Sequence, residues 1–585
     1  MNKHVTKALL WLAIAILPLT LTGCDKIPDV VRSSASTTPD SITSQSDYEA
    51  SENHGDVTFT DMVYERPDID AMRAQMDDLL DGIDRGKPAE EMIAAYETLR
   101  NEYAHADSML SLAYLLYAFD VTEPYYRNEY SYLQTELSIL DADMESVSIE
   151  LFESSGEAEQ LAKDSFGEGY VETIMDDDIG SDESIQDLLN AEEQKTLQYD
   201  ELGATYTLLD NGTRWTLDAI YGDASLSYDE YYRLYGAYCA GLNEKAGAIF
   251  MEQLEIRQNI AGRLGYDNYA AYCYDAYGRD YTLADAESLQ QAVKRYIVPV
   301  FIEANYRNDT YDLADATFDE QAFLSALEIA AADFSPMLDE PVQYMLHNGL
   351  YDFSVSDNKM DTSFTTYISD YDAPFIFSEW YGYSEDILTT IHELGHFTSY
   401  YHNAEAGYSA SDNIDLAEID SQALVLLMID YYDSFFGDLA DEAETDVLID
   451  AMYALISGCM EDEFQQTIYK NPDMTLDEIN ALYKDLAVEY GLDEVYGFDG
   501  TEWVLISHTF QTPMYYISYA VSMVPALELF EESQDDPQSA RADYFAILNR
   551  DAYAQMQAVL SDNGLAPVFS EATIKRIASM LERLT

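Results

Sequence analysis

Basic residues are scarce in this chain: 29 Lys and Arg stand against 111 Asp and Glu in 585 residues, a formal net charge of −82. A surface of that sign repels polyanions, which argues against nucleic acid and anionic lipid headgroups as partners. Such charge suits solubility in a salty or acidic medium, and it attracts cationic peptides over the roughly 8 Å that salt leaves unscreened. Cysteine is nearly missing, with 4 residues. Cys24 apart, Cys239, Cys273 and Cys459 are odd in number and lack metal-ligand spacing, so the fold does not depend on a disulfide framework. One disulfide or three buried thiols stay open. Proline (15) and glycine (27) are sparse, which suits long helices with short links. No segment repeats with a fixed period.

Long apolar runs are absent too, with one exception at the start. Lys3, His4 and Lys7 form a positive n-region, and residues 8–21, ALLWLAIAILPLTL, form an apolar core too short to span a bilayer comfortably. Leu21-Thr22-Gly23-Cys24 resembles a bacterial lipobox. That resemblance implies cleavage before Cys24, acylation of Cys24, and a protein exported and anchored to the outer face of the cell membrane. Residues 25–56 are rich in Ser, Thr and Asp and read as a flexible tether. The expected organisation is a signal peptide over 1–23, an acylated tether over 24–56, an N-terminal helical region over 57–227 and a catalytic region over 228–585, the last two forming one continuous body. At 48% hydrophobic residues the body is a folded one despite its charge.

Helical periodicity dominates that body. In 67–86, Ile69, Met72, Met76, Leu79, Leu80 and Ile83 recur at three- and four-residue spacings, the stripe of an amphipathic helix. The same pattern predicts helices over 88–103, 107–120, 126–167 with breaks, 184–196, 228–264, most of 283–347 and most of 384–585. Strand-like alternation is confined to 204–218, around the Asp210-Asn211-Gly212 turn, and to 350–355, 363–369 and 373–380. The last three read as a small sheet just ahead of the most informative segment.

That segment is 391–402, IHELGHFTSYYH. Histidine is rare, 8 in all, yet His392 and His396 lie at i and i+4, where both project from one helix face toward one metal ion. Glu393 lies beside the first of them, placed to accept a proton from a metal-activated water. A catalytic zinc takes a third protein ligand, expected on a following helix. Glu418 is the best candidate, since it points with the apolar side of 415–432, where a carboxylate is costly unless it is paired or ligating. Asp415 and Asp420 are alternatives. Asp415 suits an N-terminal charge and Asp420 faces elsewhere on the helix. Far downstream, His508 is the only histidine after His402, and Tyr515, Tyr516 and Tyr519 follow it. His N–H and Tyr O–H groups can stabilise a tetrahedral oxyanion, although 49 tyrosines make such neighbours common in core packing as well.

HELGH, then AEIDSQ, then His508 with PMYYISY, in that order and spacing, resemble the thimet oligopeptidase and oligoendopeptidase F family of zinc metallopeptidases. RLGYDNYAAYCYDAYGRDYT (263–282) resembles the family segment before the catalytic half, and APFIFSEWYG its edge strand. The resemblance covers about 200–580 well and the N-terminal part weakly. It implies a mainly α, two-lobed helical body with a deep substrate channel, and a small β-sheet beside the zinc helix. It implies one Zn2+ held by His392, His396 and Glu418, Glu393 as base, His508 and Tyr519 as oxyanion donors, and Tyr515 or Tyr516 facing the substrate. The substrates would be short unstructured peptides cut at internal bonds by a monomer that meets the membrane only through Cys24. Two departures stand out: Asp420 replaces the proline that often precedes Ser-Gln, and the tyrosine loop has Pro513 in place of glycines. Two other readings are a surface lipoprotein that binds peptides without cutting them, and a zinc exopeptidase of carboxypeptidase type on the same scaffold.

Overall fold

The computed structural model of the chain describes residues 57–585 apart from 177–184, 224, 309–312, 315, 357, 361, 404–412 and 551–553. The signal segment, Cys24 and the tether lie outside the described residues. No described helix is long and apolar enough to cross a membrane.

The architecture is mainly α. Helix Ile69–Asp84 begins where Asp68 accepts a hydrogen bond from the Ala71 amide, and it buries Ile69, Met72, Met76 and Leu79 as the stripe requires. The two helices expected over 88–103 and 107–120 are one, Ala89–Phe119, because Ala104–Asp107 holds no helix breaker. The break in the next pattern falls at Ser154 and Ser155. There Pro124–Glu153 ends and Ser155 caps Gly156–Phe166. Helix Tyr228–Leu264 has the expected bounds, capped by Ser227 and ended by Gly265 in the left-handed conformation.

Strands are shorter than the alternation predicts. Helix Gln186–Thr205 runs into the expected hairpin and leaves β1 (Leu208–Asp210) and β2 (Thr213–Trp215), joined through Asn211 (φ 48°) and Gly212 (φ 87°) as a two-residue turn. The second sheet has β3 (Tyr351–Asp352), β4 (Phe364–Ile368) and β5 (Ala373–Phe377) in the order β3-β5-β4. β4 pairs antiparallel to β5, with Phe364 opposite Phe377, and β3 pairs parallel to it. This corrects one expectation. The strand at 373–377 is the buried centre of the sheet, all five residues inside, and β4 is the free edge on the site side. An all-apolar run such as Ala-Pro-Phe-Ile-Phe is what a strand covered on both faces needs.

A single core cluster runs from Met62 to Leu581. Helix Ala89–Phe119 packs on β4, where the Tyr114 and Phe364 rings stand 4.9 Å apart. The N-terminal helices thus support the strand that faces the site. Cys239, Cys273 and Cys459 are buried free thiols, which settles the open alternative against a disulfide.

Candidate active site

Four helices position the site. The histidine helix (Ser384–Asn403) carries His392, Glu393 and His396, and the glutamate helix (Ile414–Leu427) carries Glu418. The wall helix (Ala440–Lys470) and the tyrosine helix (Ile517–Ser533) close the far side. The first two cross in tight contact at Gly395. A Cβ there would lie 2.4 Å from the Asp420 carbonyl oxygen and 2.6 Å from the Ser421 Cα, so glycine is what lets the helices approach. That approach brings Glu418 to the histidines. Its Oε2 stands 3.6 Å from His392 Nε2 and 3.9 Å from His396 Nε2. All three ligand atoms lie within 4.8 Å of one another.

Burial sets the protonation of these groups. It pushes the His396 imidazole down to about 4, helped by the Arg550 charge, and His392 well below its ordinary value with His396 adding to the effect. Both are neutral at pH 7, with a lone pair to give a metal. Burial raises Glu418 to about 7, against hydrogen bonds from Ser421 and Tyr515 that favour its anion. Glu393 rises to about 8 by burial, with the Glu418 charge adding to it and the Thr365 hydroxyl opposing it. That hydroxyl, on edge strand β4, lies 2.7 Å from Glu393 Oε2 and 2.9 Å from its carbonyl oxygen.

The downstream cluster joins the same cavity. Thr365, His392, Glu393, His396, Glu418, His508, Tyr515, Tyr516 and Tyr519 all line one space of about 240 Å³. The His508 ring stands 5.4, 5.1 and 6.0 Å from those of Tyr515, Tyr516 and Tyr519. Burial lowers His508 to about 4 and pushes all three phenols up, so each is a neutral donor. The two adjacent tyrosines are now distinct. Tyr515 hydrogen bonds Glu418, whereas Tyr516 is packed inside, 5% exposed, against His508 and Tyr519.

The sequence reading missed several residues that hold these groups in place. Arg257, fully buried, donates to the Thr509 and Phe510 carbonyls at 2.8 and 2.5 Å, and so anchors the short helix His508–Gln511. Tyr277 donates to the Pro513 carbonyl, and the Gln465 side chain accepts the Met514 amide. Met514 has φ 66°, a left-handed conformation in a side-chain-bearing residue at the turn before Tyr515. Asp420, the residue in the proline position, is 1% exposed and forms two hydrogen bonds to Arg550 at 2.8 and 3.0 Å. Asp415, the other alternative ligand, pairs instead with Arg279 at 3.5 Å in the first turn of the glutamate helix. The signal for Arg257 was available: an arginine on the apolar stripe of a long helix demands buried acceptors. Thr365 carried none.

Residues 59–174 match the family model described as the Peptidase M3 N-terminal domain. The chain carries the M3 peptidase N-terminal domain on an oligoendopeptidase F fold. Several solved structures share that fold. One assigned as an oligoendopeptidase F superposes with a TM-score of 0.75 at 23% identity, covering 90% of this chain and 98% of that one. PZ peptidase A, solved with an inhibitor, gives 0.74 at 22% identity over 90% and 98%. A Bacillus anthracis protein assigned as an oligoendopeptidase F gives 0.73 at 22% identity with the same coverage. No curated protein matches by sequence. The fold and the N-terminal domain that the resemblance implies are thereby borne out.

Proposed function

We propose that the chain is an exported zinc endopeptidase that hydrolyses internal bonds of short unstructured peptides. The observation that carries this reading is the convergence of His392, His396 and Glu418 on one point, with Glu393 beside it on a Thr365 hydrogen bond. Ligand atoms about 2.0–2.2 Å from a tetrahedral zinc lie roughly 3.3–3.6 Å from one another, so the 3.6 and 3.9 Å separations fit with little adjustment. Two neutral imidazoles and a carboxylate are also a donor set that zinc takes.

Zinc, when bound, supplies a Lewis acid that makes water acidic near neutral pH and polarises the scissile carbonyl. The chain's own residues do the rest. Glu393 takes the proton of the attacking water and returns it to the leaving amine, while Thr365 holds its carboxylate in one orientation. Tyr519 and the neutral His508 donate to the oxyanion, each such donor being worth roughly 3 kcal/mol. Tyr515 spends its hydroxyl on Glu418 and serves to orient that ligand.

Glu393→Gln tests the reading. The variant should bind zinc at one equivalent by elemental analysis, and its kcat on a mixed peptide library should fall by at least about a hundredfold. Full activity in that variant would remove Glu393 from the mechanism. The cleavage products, read by mass spectrometry, decide between internal and terminal attack.

A further inference from the structure

Segment 263–282 supplies no reacting group, yet it places a charge where the site helices meet. Arg279 follows the turn that ends helix Tyr269–Ala276, and its side chain is 0% exposed. A guanidinium keeps its charge, and burying one is costly unless acceptors surround it. Here the surroundings come from the helices that build the site. Nε lies 3.5 Å from Asp415 Oδ2, in the first turn of the glutamate helix. Nη2 donates to Ser518 Oγ at 3.1 Å, in the first turn of the tyrosine helix. The guanidinium carbon also stands 4.5 and 5.0 Å from the ring centres of Tyr274 and Tyr277. Tyr274 in turn donates to Asp462 Oδ1 on the wall helix at 2.8 Å, and Tyr277 to the Pro513 carbonyl at 3.1 Å, in the loop ahead of Tyr515.

The two contacts lie next to groups that must act together. Asp415 precedes Glu418 by three residues, which makes them neighbours on one helix face, and Ser518 adjoins Tyr519. Apolar packing sets how close two helices come, but it is non-directional and opposes a slide along the axis only weakly. A planar guanidinium, with donors in fixed directions, holds a register that apolar contacts leave loose. We propose that Arg279 is a positioning residue, which sets the register of the glutamate helix against the tyrosine helix and so of Glu418 against Tyr519. This rests on the peptidase reading and adds a residue to its machinery.

The test uses the full chain and three readouts: zinc affinity by competition with a chelator, kcat and KM on one peptide, and melting temperature. Asp415→Asn keeps the shape of the side chain and removes the charge that Arg279 faces, so zinc should bind about tenfold more weakly. Ser518→Ala removes only the Nη2 acceptor. Its kcat should fall about tenfold through Tyr519, with KM and zinc affinity unchanged. Arg279→Lys, a cation without the planar fork, should show both losses. Native zinc affinity in Asp415→Asn, or native kcat in Ser518→Ala, overturns the proposal whatever happens to the melting temperature, because a merely structural pair moves only that. If Arg279→Lys fails to fold, the two partner variants decide. No cleavage of any peptide by the unsubstituted zinc-loaded chain overturns the peptidase reading instead, and the zinc affinities then decide for Arg279.

Discussion

Buried carboxylates outside the site cost this protein stability, and Glu461 shows how. It is 2% exposed on the wall helix and accepts one hydrogen bond, 2.7 Å from the Tyr483 hydroxyl, while its Oε2 has no partner. Burial pushes its carboxyl to about 8, opposed only by that hydrogen bond. A folded pKa above the unfolded one means that the native state holds the proton more tightly. The associated stability is fully present below the unfolded pKa, near 4.5, and is lost as pH rises through about 8. Glu461→Gln keeps a neutral group of the same shape at all pH values. Its melting temperature should therefore match that of the native chain at pH 4.5 and exceed it at pH 8.5, where the stability gained is on the order of a few kcal/mol. Parallel melting curves at both pH values would contradict this.

At the scale of elements, the site depends on how close two helices come. Gly395 occupies the second variable position of His-Glu-x-x-His, and both neighbours that a Cβ would strike are backbone atoms, which cannot rotate away. Gly395→Ala should separate the histidine and glutamate helices by a fraction of an ångström or more, and move Glu418 off the point the histidines share. The expected outcome is a loss of metal affinity of at least about tenfold, measured by competition with a chelator, together with a fall in melting temperature. Unchanged affinity would show that the glutamate helix slides without cost. The tyrosine loop illustrates the opposite strategy. Its left-handed turn at Met514 is held by Gln465 and its Pro513 carbonyl by Tyr277, so side chains elsewhere impose a conformation that glycine adopts freely. A hinge built this way is stiffer than a glycine hinge.

For the whole molecule, the net charge of −82 bears on where the chain would work. We propose that Cys24 is lipidated and holds the body outside the cell, with residues 25–56 as its tether. Cys24→Ala should move the protein from the membrane fraction to the soluble exported fraction without altering kcat/KM on peptides in detergent-free extracts. Retention in the membrane fraction would mean that another segment anchors it. Peptides reach such a protein by diffusion, and a field of one sign favours cationic ones before any contact is made.

The chain by itself determined whatever resides within one element. The i and i+4 spacing of His392 and His396, the position of Glu393, the apolar stripe of Ile69–Asp84 and the Asp210-Asn211-Gly212 turn are local patterns, and local periodicity survives in any fold that keeps the helix or hairpin. Glu418 was legible because an acid on an apolar face has few other uses. Strand order was not, since β5 and β4 are both short and apolar-rich, and only the packing of helix Ala89–Phe119 and the histidine helix on the sheet decides which is the edge. Nor were Thr365 on Glu393, Arg257 on the His508 helix, Arg550 beside Asp420, or the different tasks of Tyr515 and Tyr516. Each of those contacts joins residues that are 28 to 253 positions apart or depends on a turn held from outside. Such distances are closed only by tertiary packing, because no local propensity specifies which buried donor meets which acceptor.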